Sequence, residues 1–202
     1  MANVFRKLWS VGWLRSHSAI LTVLLILSVG LNILLSRKVQ EVTEVSRLLR
    51  LKLDTPVLLP GAKAPEFSAY ELDGQKRLLN YAEANVPTVL YVFTPDCHWC
   101  ARNLENIRSV VDAAGDRFRF LGVSLSDEDL PTYLSQNKLP FHVYQTPSED
   151  VRIAYGFNST PSTIVISPSG SVLQYWKGAY SEDLATEVEG YFQVKLPGLS
   201  KE

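Results

Sequence analysis

The chain has 202 residues, of which 46% are hydrophobic, 20% charged and 10% aromatic, with two cysteines; this balance excludes a disordered, collagen-like or disulfide-dense protein. All 21 acidic residues follow Ser36, whereas three of the 20 basic ones (Arg6, Lys7 and Arg15) precede it, so residues 37–202 set 17 basic against 21 acidic groups and carry a net −4. No basic field for nucleic acid remains, one methionine and three histidines offer few ligands for a haem or a multi-histidine metal site, and two cysteines allow one disulfide or one dithiol.

Residues 1–15 form a short basic tail, and residues 16–36, SHSAILTVLLILSVGLNILLS, hold no formally charged side chain apart from the usually neutral His17. As a helix at about 1.5 Å per residue they span about 31 Å, the thickness of a hydrocarbon core, so the segment is expected to cross a membrane as a signal anchor in contact with lipid. A cleaved signal peptide would show a shorter apolar region and a small-residue cleavage site, and neither is evident. Asn32 and Gly30 weaken the run, but its leucines, isoleucines and valines outweigh them. Arg6, Lys7 and Arg15 place the tail in the cytoplasm by a narrow margin over Arg37 and Lys38 on the other flank, and Trp9 and Trp13 suit the headgroup belt. The rest of the chain is then expected on the extracytoplasmic side of the cell (inner) membrane, a periplasmic or other redox-managed compartment.

Residues 37–60 read as a stalk or linker. Val39, Val42, Val45, Leu48, Leu49 and Leu53 recur at roughly helical spacing, which suits either an amphipathic stalk or a pairing helix that makes a homodimer. Asp54-Thr55-Pro56 and Pro60-Gly61 mark the boundary of a domain over residues 61–193. Within it, Phe67–Leu72 and Lys76–Leu79 flank the Asp73-Gly74 turn as a hairpin, and Thr88–Phe93 is an apolar run of buried-strand type. A helical stretch follows to about Ala114, then a strand at Phe118–Val123 and a helix over Asp127–Gln136 whose start is marked by Ser126 with Asp129 three residues on. A short strand at Phe141–Tyr144, a helical turn at Ser148–Tyr155, strands at Ser162–Ile166 and Val172–Trp176 and a helix over Glu182–Phe192 complete the domain, with residues 194–202 as a C-terminal tail. Strand and helix alternation after an initial hairpin predicts an α/β sheet covered on both faces.

The chemistry lies in Val92-Phe-Thr-Pro-Asp-Cys97-His-Trp-Cys100-Ala-Arg102, where a buried strand runs into a turn and then a helix. At the helix N-terminus, unpaired N–H groups favour the Cys97 thiolate, and Cys100, three residues on and on the same helical face, is within disulfide reach. Cys97 is therefore expected to be the exposed attacking sulfur and Cys100 the buried one that resolves a mixed disulfide. A zinc site would need two further ligands, and His17, His98 and His142 are the only histidines, so no metal and no cofactor is expected. A second signal is Ser159-Thr160-Pro161 ahead of a strand, where proline marks a strand start or special turn.

Taken together these features resemble the thioredoxin superfamily and, within it, the membrane-anchored TlpA/ResA-like thiol:disulfide oxidoreductases, which overlap in pattern with the redoxin and peroxiredoxin group. The resemblance spans residues 61–193. It rests on Gly61-Ala-Lys-Ala-Pro65-Glu-Phe67 leading to Leu72-Asp-Gly74, on Cys97-His-Trp-Cys100, on Thr160-Pro161 before a strand, and on Gly178 before the last helix. It implies a thioredoxin-like fold with an N-terminal β-hairpin extension behind a single transmembrane helix, and a cis Pro161 beside the dithiol with Thr160 pairing its backbone to substrate. It also implies disulfide exchange with protein substrates, re-reduction by a membrane thiol donor, and service in maturing cytochrome c or other redox proteins.

The sequence departs from that pattern in three places. Asp96 and Trp99 stand where many relatives have Trp and Pro, and Tyr91 stands where an acidic or amide residue is common, which leaves Glu66, Glu71 or water as acceptors for the Cys100 proton. His98, as an imidazolium, would lower the Cys97 pKa, whereas an exposed neutral ring would do little; Trp99 reads as a flat contact surface for substrate or as a core aromatic. Two other functions compete. Thr94-x-x-Cys97 suits a peroxidatic thiol, although Leu90 replaces the expected proline; a copper chaperone would use both cysteines with His142, although such binders space their cysteines one residue further apart.

Overall fold

The computed structural model describes residues 21, 23–40, 43, 58–145 and 147–201. By internal contacts the chain divides into an N-terminal unit ending at Lys52 and a C-terminal unit starting at Leu53. Trp9, Trp13, His17, Val42, Val45, Leu48, Leu49, Leu53 and the Asp54-Thr55-Pro56 boundary lie outside the described residues, and with them the stalk-mediated dimer.

In the N-terminal unit, helix α1 over Val23–Gln40 is long and apolar enough by length and composition to cross a membrane, and none of it is buried within the protein. It continues beyond Ser36 through Arg37 and Lys38. The Asn32 amide, a strongly polar group within the apolar run, donates to Ser28 O at 2.8 Å. That bond turns the amide back on its own helix and reduces the cost of placing it in an apolar medium.

The C-terminal unit holds a five-stranded mixed sheet in the order β5-β4-β3-β6-β7 and a separate two-stranded hairpin, β1 (Phe67–Tyr70) with β2 (Lys76–Leu79). Strand β3 (Thr88–Phe93) is central: it pairs in parallel with β4 (Arg119–Ser124) and antiparallel with β6 (Ser162–Ile166), and all six of its residues are buried. Burial on both faces is why its apolar run is unbroken rather than alternating, each aliphatic side chain contributing about 1.5–3 kcal/mol. Strands β5 (His142–Tyr144) and β7 (Val172–Lys177) close the edges.

The alternation of β3 divides the core in two. Val89, Tyr91 and Phe93 pack with Cys100 of α2 (His98–Arg102), with Ile107 and Val110 of α3 (Leu104–Ala114), with Leu130 of α4 (Leu130–Asn137) and with Val188 and Phe192 of α6 (Glu182–Phe192). Leu90 and Val92 pack instead with Phe67 and Ala69 of the hairpin and with Tyr155 of α5 (Glu149–Tyr155). The hairpin thus covers the sheet face opposite the dithiol helix. Leu58 is buried in that same cluster, and the segment after it bonds to the start of β7 and the turn before it through Gly61 N to Val172 O and Ala64 N to Gly170 O, both 2.8 Å.

Two expected helices are altered. The stretch after Cys97 is two helices, interrupted at the buried Asn103. The helix expected from Asp127 starts at Leu130 with Asp129 at its N-cap and makes no side-chain cap bond. Ser126 caps nothing; its Oγ accepts from Glu128 N at 3.2 Å in a preceding turn. Pro131, which lacks an N–H, then falls in the first helical turn, where the missing donor has no intrahelical partner to lose.

Candidate active site

Strand β3 ends at Phe93, and the chain turns through Thr94-Pro95-Asp96 with Cys97 N donating to Thr94 O at 3.2 Å. Cys97 is the N-cap of α2; its Sγ accepts the Cys100 N–H at 3.1 Å, and its carbonyl accepts from Cys100 N and Ala101 N, both at 3.1 Å. A direct N–H to sulfur contact favours thiolate over thiol at Cys97 once the pair is reduced. The two cysteines form a disulfide with Cα atoms 5.2 Å apart. Cys97 is half-buried at the surface, while Cys100 is 1% exposed among Tyr91, Phe93 and Ile107. The expected asymmetry between an approachable and a buried sulfur is therefore present in the geometry.

The second motif lies at the same end of the sheet as the first. Because Val92 pairs with Ser162, β6 begins where β3 runs into the turn that bears Cys97, and Pro161 immediately precedes it. The Thr160–Pro161 bond is cis. Pro161 is buried, its carbonyl accepts the Gly178 N–H at 2.8 Å, and Thr160 is part-exposed. Gly178 has φ of 100°, a conformation that strains any L side chain, which gives the glycine expected before the last helix its physical reason.

Trp99 is 50% exposed and so belongs to the surface, not the core. Its ring is flanked by His98 edge-on at 5.4 Å and by the Arg102 guanidinium 5.0 Å from the ring centre. His98 is exposed at the first residue of α2. A groove of about 510 Å³ opens on the near side of the turn, running from Pro95 and Asp96 to Glu128, Asp129 and Tyr133.

The acceptors considered for the Cys100 proton are elsewhere. Glu66 is exposed ahead of the hairpin, and Glu71, on the hairpin, is bonded to His142 at 2.5 Å and lies 3.6 Å from Arg77. That pairing also commits His142 to Glu71 rather than to the cysteines, and among the described residues no three His, Cys, Asp or Glu side chains gather into a metal-holding cluster.

Beneath the dithiol is a buried polar network that sequence reasoning missed. Asn103 Oδ1 accepts from Tyr180 N at 2.9 Å and from Asn106 Nδ2 at 3.0 Å, while Asn106 Oδ1 accepts from Gly198 N at 3.0 Å. The Tyr180 hydroxyl shares a 2.6 Å bond with Thr163 Oγ1, two residues after Pro161. The network therefore joins the dithiol helix to the strand that follows the cis proline. Tyr91 Oη and Asn103 Nδ2 face one another without reaching hydrogen-bond geometry, and neither has a partner among the described residues. Burial pushes the Tyr91 hydroxyl pKa up and the neighbouring Tyr180 hydroxyl raises it further, outweighing the facing Asn103 side chain, which lowers it, so the group is a neutral phenol. The available signal was the spacing: Asn103 and Asn106 follow Cys100 at intervals of three, on the helix face that Ile107 and Val110 bury.

A search of curated protein sequences finds no significant match. Among solved structures, the chain is similar to the thioredoxin domain of a thiol-disulfide oxidoreductase from Bacteroides vulgatus, with a TM-score of 0.56 and 22% identity over 67% of this chain and 99% of that one. It is also similar to a thiol:disulfide interchange protein from Bacteroides sp. (TM-score 0.53, 21% identity, 68% of this chain and 92% of that one) and to a thiol-disulfide oxidoreductase from Bacteroides fragilis (0.53, 19%, 64% and 99%). These likenesses establish the thioredoxin-like fold, with the hairpin as its N-terminal extension. Residues 60–175, more than half of the chain, match the model of the AhpC/TSA family, and the chain belongs to that family.

Proposed function

We propose that this protein is a thiol:disulfide oxidoreductase of the TlpA/ResA type, anchored in the cell (inner) membrane by residues 16–36 with its C-terminal domain on the extracytoplasmic side. The observation that carries the reading is the Cys97–Cys100 disulfide, with Cys97 half-buried and Cys100 buried, at the end of the sheet where the cis Thr160–Pro161 bond leads into β6. In the reduced protein the Cys97 thiolate attacks one sulfur of a substrate disulfide, forming a mixed disulfide and releasing the other substrate sulfur as a thiolate. Cys100, on losing its proton, attacks the Cys97 sulfur; the substrate leaves as its second thiolate and the Cys97–Cys100 disulfide forms. Two electrons pass to the substrate, and a membrane thiol donor restores the dithiol by the same two steps in reverse.

Thr160 and Pro161 form the edge that receives the substrate backbone, Trp99 supplies a flat apolar contact, and His98 adds a titratable ring beside Cys97. Protein disulfides of cytochrome c or other maturing redox proteins are the substrates that this reading implies. The membrane assignment is supported by α1 and by the basic residues ahead of it. The peroxidase reading keeps one observation in its favour, Thr94 three residues before Cys97 in an AhpC/TSA chain, but a second cysteine already bonded to Cys97 favours direct exchange.

The test uses the full chain expressed in membranes. Cys97→Ser abolishes reduction of a protein disulfide, whereas Cys100→Ser retains the attacking thiol and accumulates mixed disulfides with partners. Trapping by Cys97→Ser in place of Cys100→Ser would reverse the assigned roles. Oxidation by hydrogen peroxide much faster than disulfide exchange, and lost in Thr94→Val, would favour the peroxidase instead.

A further inference from the structure

The expected C-terminal tail is docked against the dithiol helices. Leu196 is buried, and its N–H donates to Glu189 Oε1 at 2.9 Å. Gly198 N donates to Asn106 Oδ1, and beyond it Ser200 and Arg102 bond reciprocally: Ser200 N donates to Arg102 O at 3.0 Å and Arg102 Nε donates to Ser200 O at 2.9 Å. Ser200 Oγ adds a longer bond to the same Arg102 carbonyl at 3.3 Å. Arg102 is the last residue of α2, so its backbone and its guanidinium are both held by one residue of the tail.

The same guanidinium lies over Trp99, 5.0 Å from the ring centre, with His98 edge-on to that ring. An arginine on a surface helix ordinarily samples many rotamers, and an exposed tryptophan must be ordered when a partner binds. Here the Ser200 bond restricts the arginine, and the arginine restricts the ring. We infer that Arg102, clamped by Ser200, is a positioning residue that holds Trp99 in a fixed orientation for a substrate polypeptide approaching Cys97. The inference rests on the reading of Trp99 as part of the substrate seat. Its chemical content is pre-organisation: binding of a protein substrate is favoured, while the sulfur chemistry at Cys97 is unaffected.

The experiment uses the full-length chain in detergent micelles, with dithiothreitol as reductant, and compares a protein disulfide (insulin) with a small one (oxidised glutathione). Two variants remove the clamp by different means: truncation after Gly198, which keeps buried Leu196 and the Gly198–Asn106 bond, and Arg102→Met. Each is expected to raise KM for insulin about 2- to 5-fold, the range of an exposed cation–π contact, with kcat and the glutathione rate unchanged. The truncated Arg102→Met protein is expected to be no worse than either single change, because both act on one contact, and Arg102→Lys to recover part of the loss. Trp99→Ala is expected to raise KM at least as much and to make Arg102→Met silent.

If Trp99→Ala raises KM but neither clamp variant does, Arg102 does not position the ring and the inference fails alone. If Trp99→Ala leaves KM unchanged, the reading of Trp99 as a substrate contact fails and the inference falls with it. Insulin and glutathione rates that decline together with thermal stability would make the tail a purely structural strap, and a wild-type chain that reduces neither disulfide would overturn the oxidoreductase reading and this inference together.

Discussion

The two faces of the central sheet treat their buried tyrosines differently. On the hairpin face, Tyr155 donates to Pro65 O, which leaves the 2.7 Å bond between Tyr81 and Tyr155 to be donated by Tyr81, and Tyr175 donates to Gly156 O at 2.9 Å. On the dithiol face, Tyr180 is bonded to Thr163, but Tyr91 Oη and Asn103 Nδ2 meet no partner among the described residues. A buried polar group without a partner costs about 1–3 kcal/mol, and native cores rarely retain one without a reason. The hairpin face is therefore assembled for stability, whereas the face under Cys100 carries polar groups that packing alone does not require.

The sharpest way to break this comparison is Tyr155→Phe. It strips the Tyr81 hydroxyl of its acceptor and the Pro65 carbonyl of its donor, and is expected to destabilise the domain by about 1–3 kcal/mol in denaturant unfolding. A change below about 0.5 kcal/mol would show that the hairpin-face network carries no weight.

Alkaline pH probes the buried tyrosines of both faces. Burial pushes the Tyr155 and Tyr175 phenols up to about 12, whereas in the unfolded chain they ionise near 10. Raised folded-state pKa values favour the neutral phenol, so their contribution is complete below about pH 10 and is lost as pH rises towards about 12. Unfolding midpoints measured from pH 8 to 12 should be level to about pH 10 and then fall, with tyrosinate absorbance at 295 nm rising as the domain unfolds. Ionisation of the full tyrosine complement at pH 10 in the still-folded protein would contradict the burial-driven shifts.

The smallest effect is expected on the dithiol face. Tyr91→Phe removes a hydroxyl that has no partner, so stability should remain within about 1 kcal/mol of wild type or rise, in contrast to Tyr155→Phe. A loss larger than that would reveal a bonded hydroxyl and erase the difference between the faces.

The sequence by itself determined the elements whose signals are local. The unbroken apolar run of β3 announced a strand buried on both faces, Asp73-Gly74 announced the hairpin, and Cys97-His-Trp-Cys100 after a strand announced a pair within disulfide reach at a helix start, because residues three apart share a helical face. Helix ends were less legible: Ser126 offered a capping pattern, but Pro131 shifted the start to Leu130. What only the tertiary structure decided were the relations between distant segments. Pro161 reaches the same end of the sheet as Cys97 through the register of β3 with β6, across 64 residues of chain. Glu66, Glu71 and His142 are separated from Cys100 because alternate residues of β3 face opposite sides, and the hairpin covers the side away from the dithiol. The Asn103–Tyr180 and Asn106–Gly198 bonds and the Ser200 clamp on Arg102 likewise join groups that no local pattern relates: their partners are chosen by how the last segments of the chain pack, not by spacing along it.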